Sequence, residues 1–223
     1  MKPAIQYAII AAAGMGTRLH RNMPKALAEI SGRKIVSYQM ELLKEIPHVR
    51  IVVGYQADEV IQTVKEIRPD VEFILNENYA STNTLQSYYL GCKDLQEPFL
   101  LMDGDIIPQK ASLDAFLQAA DGGNLIGISE VNTEDAVFVH LDQNHCIKYF
   151  SRAQKSPYEW SNIAVVHPKL LAYENTYVFE QFEKFLPLPA RRIVRLEVDT
   201  PSDIQYAESI LSSTPEFYLE GGL

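Results

Sequence analysis

AAAGMGTRLHRNMPKAL, residues 11–27, begins where the apolar run of residues 7–13 gives way to glycine. It carries Gly14, Gly16, Thr17, Arg18, His20, Arg21 and Lys25 without one acid. Such a loop suits an anion. Gly14 and Gly16 allow a tight turn and close approach, so main-chain N–H groups can point at phosphate oxygens. Arg18 can meet a phosphate through paired hydrogen bonds, and Lys25 adds a compact, movable charge.

Spacing narrows the anion. A dinucleotide fingerprint needs a third glycine where Leu19 stands, and a phosphate loop of the G-x-x-x-x-G-K-[ST] type does not fit Gly14 and Gly16. A plain strand, glycine turn and basic surface loop remains the bland alternative. What is left is G-x-G-T-R, five residues, then Pro24-Lys25. This two-part pattern resembles the signature of the nucleotidyltransferase superfamily, which includes sugar-1-phosphate pyrophosphorylases and small cytidylyltransferases. The short gap looks more like the cytidylyltransferases, the bacterial choline-phosphate enzymes among them.

The 223 residues suit a single α/β domain, residues 1–130 forming a nucleotide-binding half, 131–211 an acceptor-binding half and 212–223 a frayed tail. A net charge of -9 argues against nucleic acid or an anionic membrane surface as partner, which makes the basic loop a local exception. Cys92 and Cys146 have no metal-ligand spacing and receive no role. The N-terminal apolar run is too short for a signal peptide and nothing reaches membrane-spanning length, so a cytoplasmic protein is expected; a homo-oligomer is compatible with everything above.

Strand-length apolar runs at 7–12, 49–54, 71–75, 99–102 and 125–128 alternate with helical periodicity at 35–46, 57–67, 84–95 and 113–120. Runs apolar on both faces favour a parallel sheet covered by helices. Residues 136–141 and 146–150 read as an antiparallel hairpin, and strands at 162–166 and 193–198, with helices at 173–185 and 201–211, complete a mixed sheet. The expected class is α/β, a Rossmann-like three-layer α/β/α arrangement with a mixed, mainly parallel sheet; the resemblance implies the glycosyltransferase-A-like nucleotidyltransferase fold.

Two acidic stretches stand at strand ends, where ligands of open α/β sheets bind: Asp103-Gly104-Asp105 and Asp199-Thr200-Pro201-Ser202-Asp203. Either is explicable as a turn or helix cap. The resemblance implies that Asp105 and Asp199 bind Mg2+; Asp103, ahead of the glycine, takes a helping or structural role, and Asp203 complements a helix N-terminus and needs no further role. Thr82-Asn83-Thr84, followed by Ser87, looks like the phosphocholine cytidylyltransferase version of a base-binding stretch. Asn83 and Ser87, with the backbone of Ala12 and Ala13, could read a pyrimidine edge, or Asn83 could simply cap a helix.

Acceptor recognition is expected in the second half, in the run Tyr149, Arg152, Lys155, Tyr158, Glu159, Trp160 and at Arg191-Arg192. Aromatic faces attract alkylammonium groups, and basic side chains hold phosphate. Of these, Tyr158, Trp160, Arg152 and Arg192 are the candidates. The resemblance implies CTP-dependent transfer of CMP to a small phosphate or phosphonate acceptor, with Gly14, Gly16, Thr17 and Arg18 holding the triphosphate and Lys25 acting at the reacting phosphate. A sugar-1-phosphate nucleotidyltransferase and a non-catalytic nucleotide-binding module are the alternatives.

Overall fold

The computed structural model describes residues 5–16, 19, 23–214 and 217–218. The chain opens with β1 (Tyr7–Ala12), then a 3-10 turn (Lys25–Leu27), a small hairpin of β2 (Glu29–Ile30) and β3 (Arg33–Lys34), and α1 (Ile35–Leu42). Next come β4 (His48–Val53), α2 (Ala57–Ile67), β5 (Glu72–Leu75), α3 (Thr84–Cys92), β6 (Phe99–Asp103), β7 (Ile106–Pro108), α4 (Lys110–Ala120) and β8 (Leu125–Glu130). The second half holds β9 (Phe138–Leu141), β10 (Cys146–Ser151), β11 (Tyr158–Val166), α5 (Val178–Glu183), β12 (Leu188–Arg192), β13 (Arg195–Glu197) and α6 (Pro201–Ser213).

Nine of these strands form one sheet in the order β5-β4-β1-β6-β11-β8-β12-β10-β9, while β13 pairs with β7 and β2 with β3. The run β5-β4-β1-β6 is parallel, β11 enters antiparallel between β6 and β8, and β9 and β10 form the expected antiparallel hairpin. Alternate residues of each strand face opposite cores. Ile10, Ile51 and Met102 pack with α1, α2, α4 and α6 on one face; Ile9, Val52 and Leu101 pack with α3 and α5 on the other. That is a three-layer α/β/α arrangement with a mixed sheet. No helix among the described residues is long and apolar enough to cross a membrane.

Local chemistry explains most boundaries. α2 matches its expected span, with Asp58 and Glu59 in its first turn, Lys65 in its last, and Val60 and Val64 buried. α1 stops at Leu42, and the apolar spacing carried on by Leu43 and Ile46 is spent on two buried turn residues. α3 likewise ends at Cys92, three residues short of expectation. The helix expected at 173–185 shrinks to α5, and the strand expected at 193–198 gives only β13. β12 was hidden by Pro187 and Pro189, which read against a strand. β11 starts four residues before its expected position, so Tyr158, Glu159 and Trp160 lie inside a strand rather than ahead of one. The expected frayed tail is partly packed: α6 runs to Ser213, Phe217 is buried, and the Tyr218 ring meets Tyr38 edge-on at 5.1 Å.

Candidate active site

β1 and β6 are parallel neighbours, so their C-terminal ends open at the same rim. The 3-10 turn brings Lys25 to that rim, the turn after β6 brings Asp105, and the junction of β13 with α6 brings Asp199. A backbone bond from Val198 N to Asp105 O, 3.0 Å long, ties the last two together. The Lys25 Nζ donates to Asp105 Oδ2 at 2.6 Å and also to Asp199 Oδ1. Burial works against the ammonium, but Asp105 and Asp199 outweigh it and hold Lys25 charged above its ordinary range.

Asp199 is positioned by the start of α6. Thr200 caps the helix, Pro201 takes its first turn, and the Asp203 carboxylate accepts the N–H groups of Asp199 (3.0 Å) and Thr200 (2.7 Å). Asp105 is held differently: its Oδ1 is buried with no hydrogen-bond partner among the described residues. Two carboxylates that converge on one cation, one with an unsatisfied oxygen, form a donor set suited to a hard divalent ion that also takes substrate oxygens.

Nucleotide-side candidates surround this cation pair. Ala12, Gly14 and Gly16 line a hollow of about 130 Å³ with Lys25, Asp103 and Asp105. Gly16 has φ of +61°, and a Cβ there would sit 2.6 Å from Met23 O, whereas a Cβ on Gly14 would meet nothing within 4 Å. Gly16 therefore serves the turn, and Gly14 leaves space over β1. Thr17 and Arg18 lie outside the described residues. A second hollow, also about 130 Å³, joins Ala13 and Gly14 to Asn76, Asn83 and Ser87.

Asn76, which sequence reasoning missed, organises this second hollow. Its buried amide donates to Thr82 Oγ1 (2.8 Å) and Ser87 Oγ (3.1 Å), while its carbonyl oxygen accepts from Asn78 N. The signal was an asparagine directly after the third expected strand. Asn83 is largely spent on structure: it forms a capping box with Gln86 and donates its amide to Thr176 O at 2.6 Å.

On the acceptor side the structure brings together Trp160 and Arg152 but not Tyr158 and Arg192. Trp160 and Arg152 line a largely apolar hollow of about 190 Å³ with Asp103, Tyr177 and Phe179, and a polar one of about 220 Å³ that reaches Lys25 and Asp105. The Arg152 guanidinium lies over the Tyr177 ring at 4.7 Å and the Phe179 ring at 5.4 Å. Arg192 instead pairs with Glu130 and stacks 5.9 Å from Tyr158, and neither side chain lines these hollows. Glu159 is buried behind the cleft, bonded to Arg195 (3.1 Å) and Thr133 Oγ1 (2.6 Å). Tyr177 and Phe179 were missed because they stand at the start of a short helix far along the chain, Tyr177 as its cap.

Asp103 forms the floor shared by these hollows. Tyr88 donates to it at 2.6 Å, and burial, then the charge of Asp105, pushes its carboxyl up to about 8. Burial also pushes Glu197 up to about 7, Asp105 and Asp199 adding to the rise against the opposing pull of Arg195.

Comparison with known proteins is consistent with this geometry. The model of the MobA-like NTP transferase domain matches residues 8–195. A choline-phosphate cytidylyltransferase of Streptococcus pneumoniae is 37% identical over 99 residues, 42% of this chain and 42% of that protein. A CTP:phosphoglutamine cytidylyltransferase of Campylobacter jejuni is 25% identical over 217 residues, covering 95% of this chain and 77% of its own length. In the first of these alignments the chain spans less than half the length of its curated relative. The solved CTP:phosphocholine cytidylyltransferase LicC of S. pneumoniae superposes with a TM-score of 0.77 at 24% identity, over 93% of this chain and all of that one, which establishes the nucleotidyltransferase fold of the glycosyltransferase-A-like kind.

Proposed function

The chain belongs to the MobA-like NTP transferase family, and from that premise we propose that it transfers CMP from CTP to an oxygen of a small phosphate or phosphonate acceptor. The acceptor oxygen bonds to the α-phosphorus, the bond from that phosphorus to the bridging oxygen breaks, and pyrophosphate leaves with the electron pair. An acceptor phosphate oxygen is already anionic, so no general base is required. Catalysis reduces to holding two anions in line and stabilising the charge between them.

The observation that carries this reading is the Lys25 ammonium set between Asp105 and Asp199 at the rim of the nucleotide hollow. Lys25 stabilises the charge that builds on the α-phosphate oxygens, and the main chain at Gly14 and Gly16, with Thr17 and Arg18, holds the triphosphate. Asp105 and Asp199 would hold Mg2+, which when bound neutralises phosphate charge and orients the reacting oxygens. Asp103, Trp160 and Arg152 face the acceptor. The reaction belongs in the cytoplasm, where CTP is made available. A catalytically silent module has no need for two acids and a lysine so arranged.

One observation supports keeping a second reading. Asn83 is committed to its helix cap and to Thr176, so the base is read chiefly by Ser87 and main-chain groups, which do not by themselves select cytosine. Pyrophosphate release with Mg2+ should therefore be measured for CTP, UTP, GTP, ATP and dTTP against choline phosphate, 2-aminoethylphosphonate, polyol phosphates and hexose 1-phosphates. CTP with a non-sugar acceptor is the expected pair; turnover confined to hexose 1-phosphates moves the assignment to the sugar-nucleotide enzymes, and silence throughout overturns catalysis. Lys25→Ala is expected to lower turnover by about a hundredfold to a thousandfold, as for other transition-state donors, with the fold retained by circular dichroism. Unchanged turnover would remove Lys25 from the mechanism.

A further inference from the structure

Five non-glycine residues among those described have positive φ, and four are explained by chain reversal: Ser31 and His145 in hairpin turns, Gln56 and Asp121 at helix caps. Asn162 is the exception. It has φ of +58° in the interior of β11, at the centre of the large sheet. A left-handed residue inside a strand is a local cost that the surrounding structure must impose.

The imposing feature is a bulge. Trp160 pairs with Ile128 and Ala164 with Ile126, so residues 161–163 of β11 face Gly127 alone. A Cβ on Gly127 would lie 2.4 Å from Ser161 Oγ and 2.5 Å from Ile163 O, so only glycine admits the bulge. On its other side β11 pairs with β6 through Ile163 and Met102, and the next register position would set Asn162 against Asp103. Bulges beside ligand sites re-aim side chains, and this one leaves Asn162 lining both acceptor-side hollows with Trp160 and Asp103. Its carboxamide makes no hydrogen bond to any described residue, although it is half-buried.

We propose that Asn162 is a specificity-determining residue of the acceptor site, hydrogen-bonding an amine or hydroxyl on the non-reacting end of the acceptor. This rests on the nucleotidyl-transfer reading above. A neutral amide that both donates and accepts suits such a group better than phosphate oxygens, which the ammonium of Lys25 and the guanidinium of Arg152 serve from the same cleft. The competing explanation is purely conformational, because asparagine tolerates the left-handed region better than most residues.

Asn162→Gly separates the two, since glycine keeps the backbone and removes only the amide. Steady-state pyrophosphate release would be followed with CTP and each of 2-aminoethylphosphonate, glycerol 3-phosphate, glucose 1-phosphate and choline phosphate, for wild type and variant. The expected result is an acceptor KM raised about tenfold, the worth of one good hydrogen bond, for the amine- and hydroxyl-bearing acceptors that wild type uses. The KM for CTP and the thermal midpoint should stay put, and choline phosphate, whose quaternary nitrogen has no N–H, should be unaffected. Equal KM values in wild type and variant, or a wild type that accepts only choline phosphate, overturn the proposal and leave the function standing. A wild type silent with every acceptor overturns the function, and this proposal with it. Should Asn162→Gly fail to fold, Asn162→Asp keeps the shape and the left-handed tolerance but replaces the amide donors by a charged acceptor, so the KM for 2-aminoethylphosphonate is expected to fall relative to that for glycerol 3-phosphate, and an unchanged ratio overturns the proposal.

Discussion

Lys25 stands between two acids that lie 80 and 174 positions away in the chain. Its charge is fixed by those neighbours, whereas Asp103, a few ångströms of backbone from Asp105, is driven the other way by burial. Asp103 at about 8 and Glu197 at about 7 keep protons in the folded chain that an unfolded carboxylate releases near the ordinary value of about 4. The folded state then binds more protons than the unfolded state across that interval, so stability falls as pH rises through it. The ion-paired Asp70, Asp94 and Glu174, and Glu180, which accepts hydrogen bonds from Thr176 and the Tyr177 backbone, have lowered values and act only at the acid end. Metal-free protein is therefore expected to show a higher thermal midpoint near pH 5 than near pH 8. A midpoint that climbs over this range would contradict the burial argument, and Asp103→Asn should flatten the slope.

Elements place these residues with little freedom. The capping box of α6 fixes Thr200 and Asp203, and through the bond from Asp199 N it fixes the acid as well. Thr200→Ala removes the side-chain cap and is expected to lower unfolding stability by about 1 kcal/mol, read as a shift of the denaturant midpoint at constant slope. Turnover should fall with it, because Asp199 loses part of its support. If stability drops while turnover is unchanged, the acid is held by its own contacts and not by the helix start. α3 is tied down in the same manner by Asn83 and Gln86, so the residue expected at the base also caps a helix.

Across the whole molecule the site lies between two cores that do not depend on it. One core packs four helices on a sheet face and the other packs two, and both are closed by apolar side chains. Chelation of divalent ions is therefore expected to abolish pyrophosphate release while leaving circular dichroism and the cooperativity of thermal unfolding unchanged. Adding Mg2+ with CTP is then expected to raise the midpoint, since ligands that bind only the folded chain stabilise it. Loss of folded structure on chelation would mean that the metal site is part of the fold.

Periodicity and punctuation in the sequence determined the alternation of strands and helices, the glycine turn after β1 and the positions of the acids at strand ends, because those follow from local sterics and one-sided burial. Local patterns also placed α2 and the start of α6 closely. The sequence did not reveal β12, whose prolines disguise it, nor that Tyr158, Glu159 and Trp160 belong to β11, with Glu159 turned to an internal arginine. Only the tertiary structure decided that Asn162 sits on a bulge opposite Gly127, that Arg152 rests on Tyr177 and Phe179, and that Lys25 meets both acids. The reason is physical: a local signal records which face a residue shows, but distant side chains meet only once strand order and register are set, and those are fixed by the packing of the whole sheet.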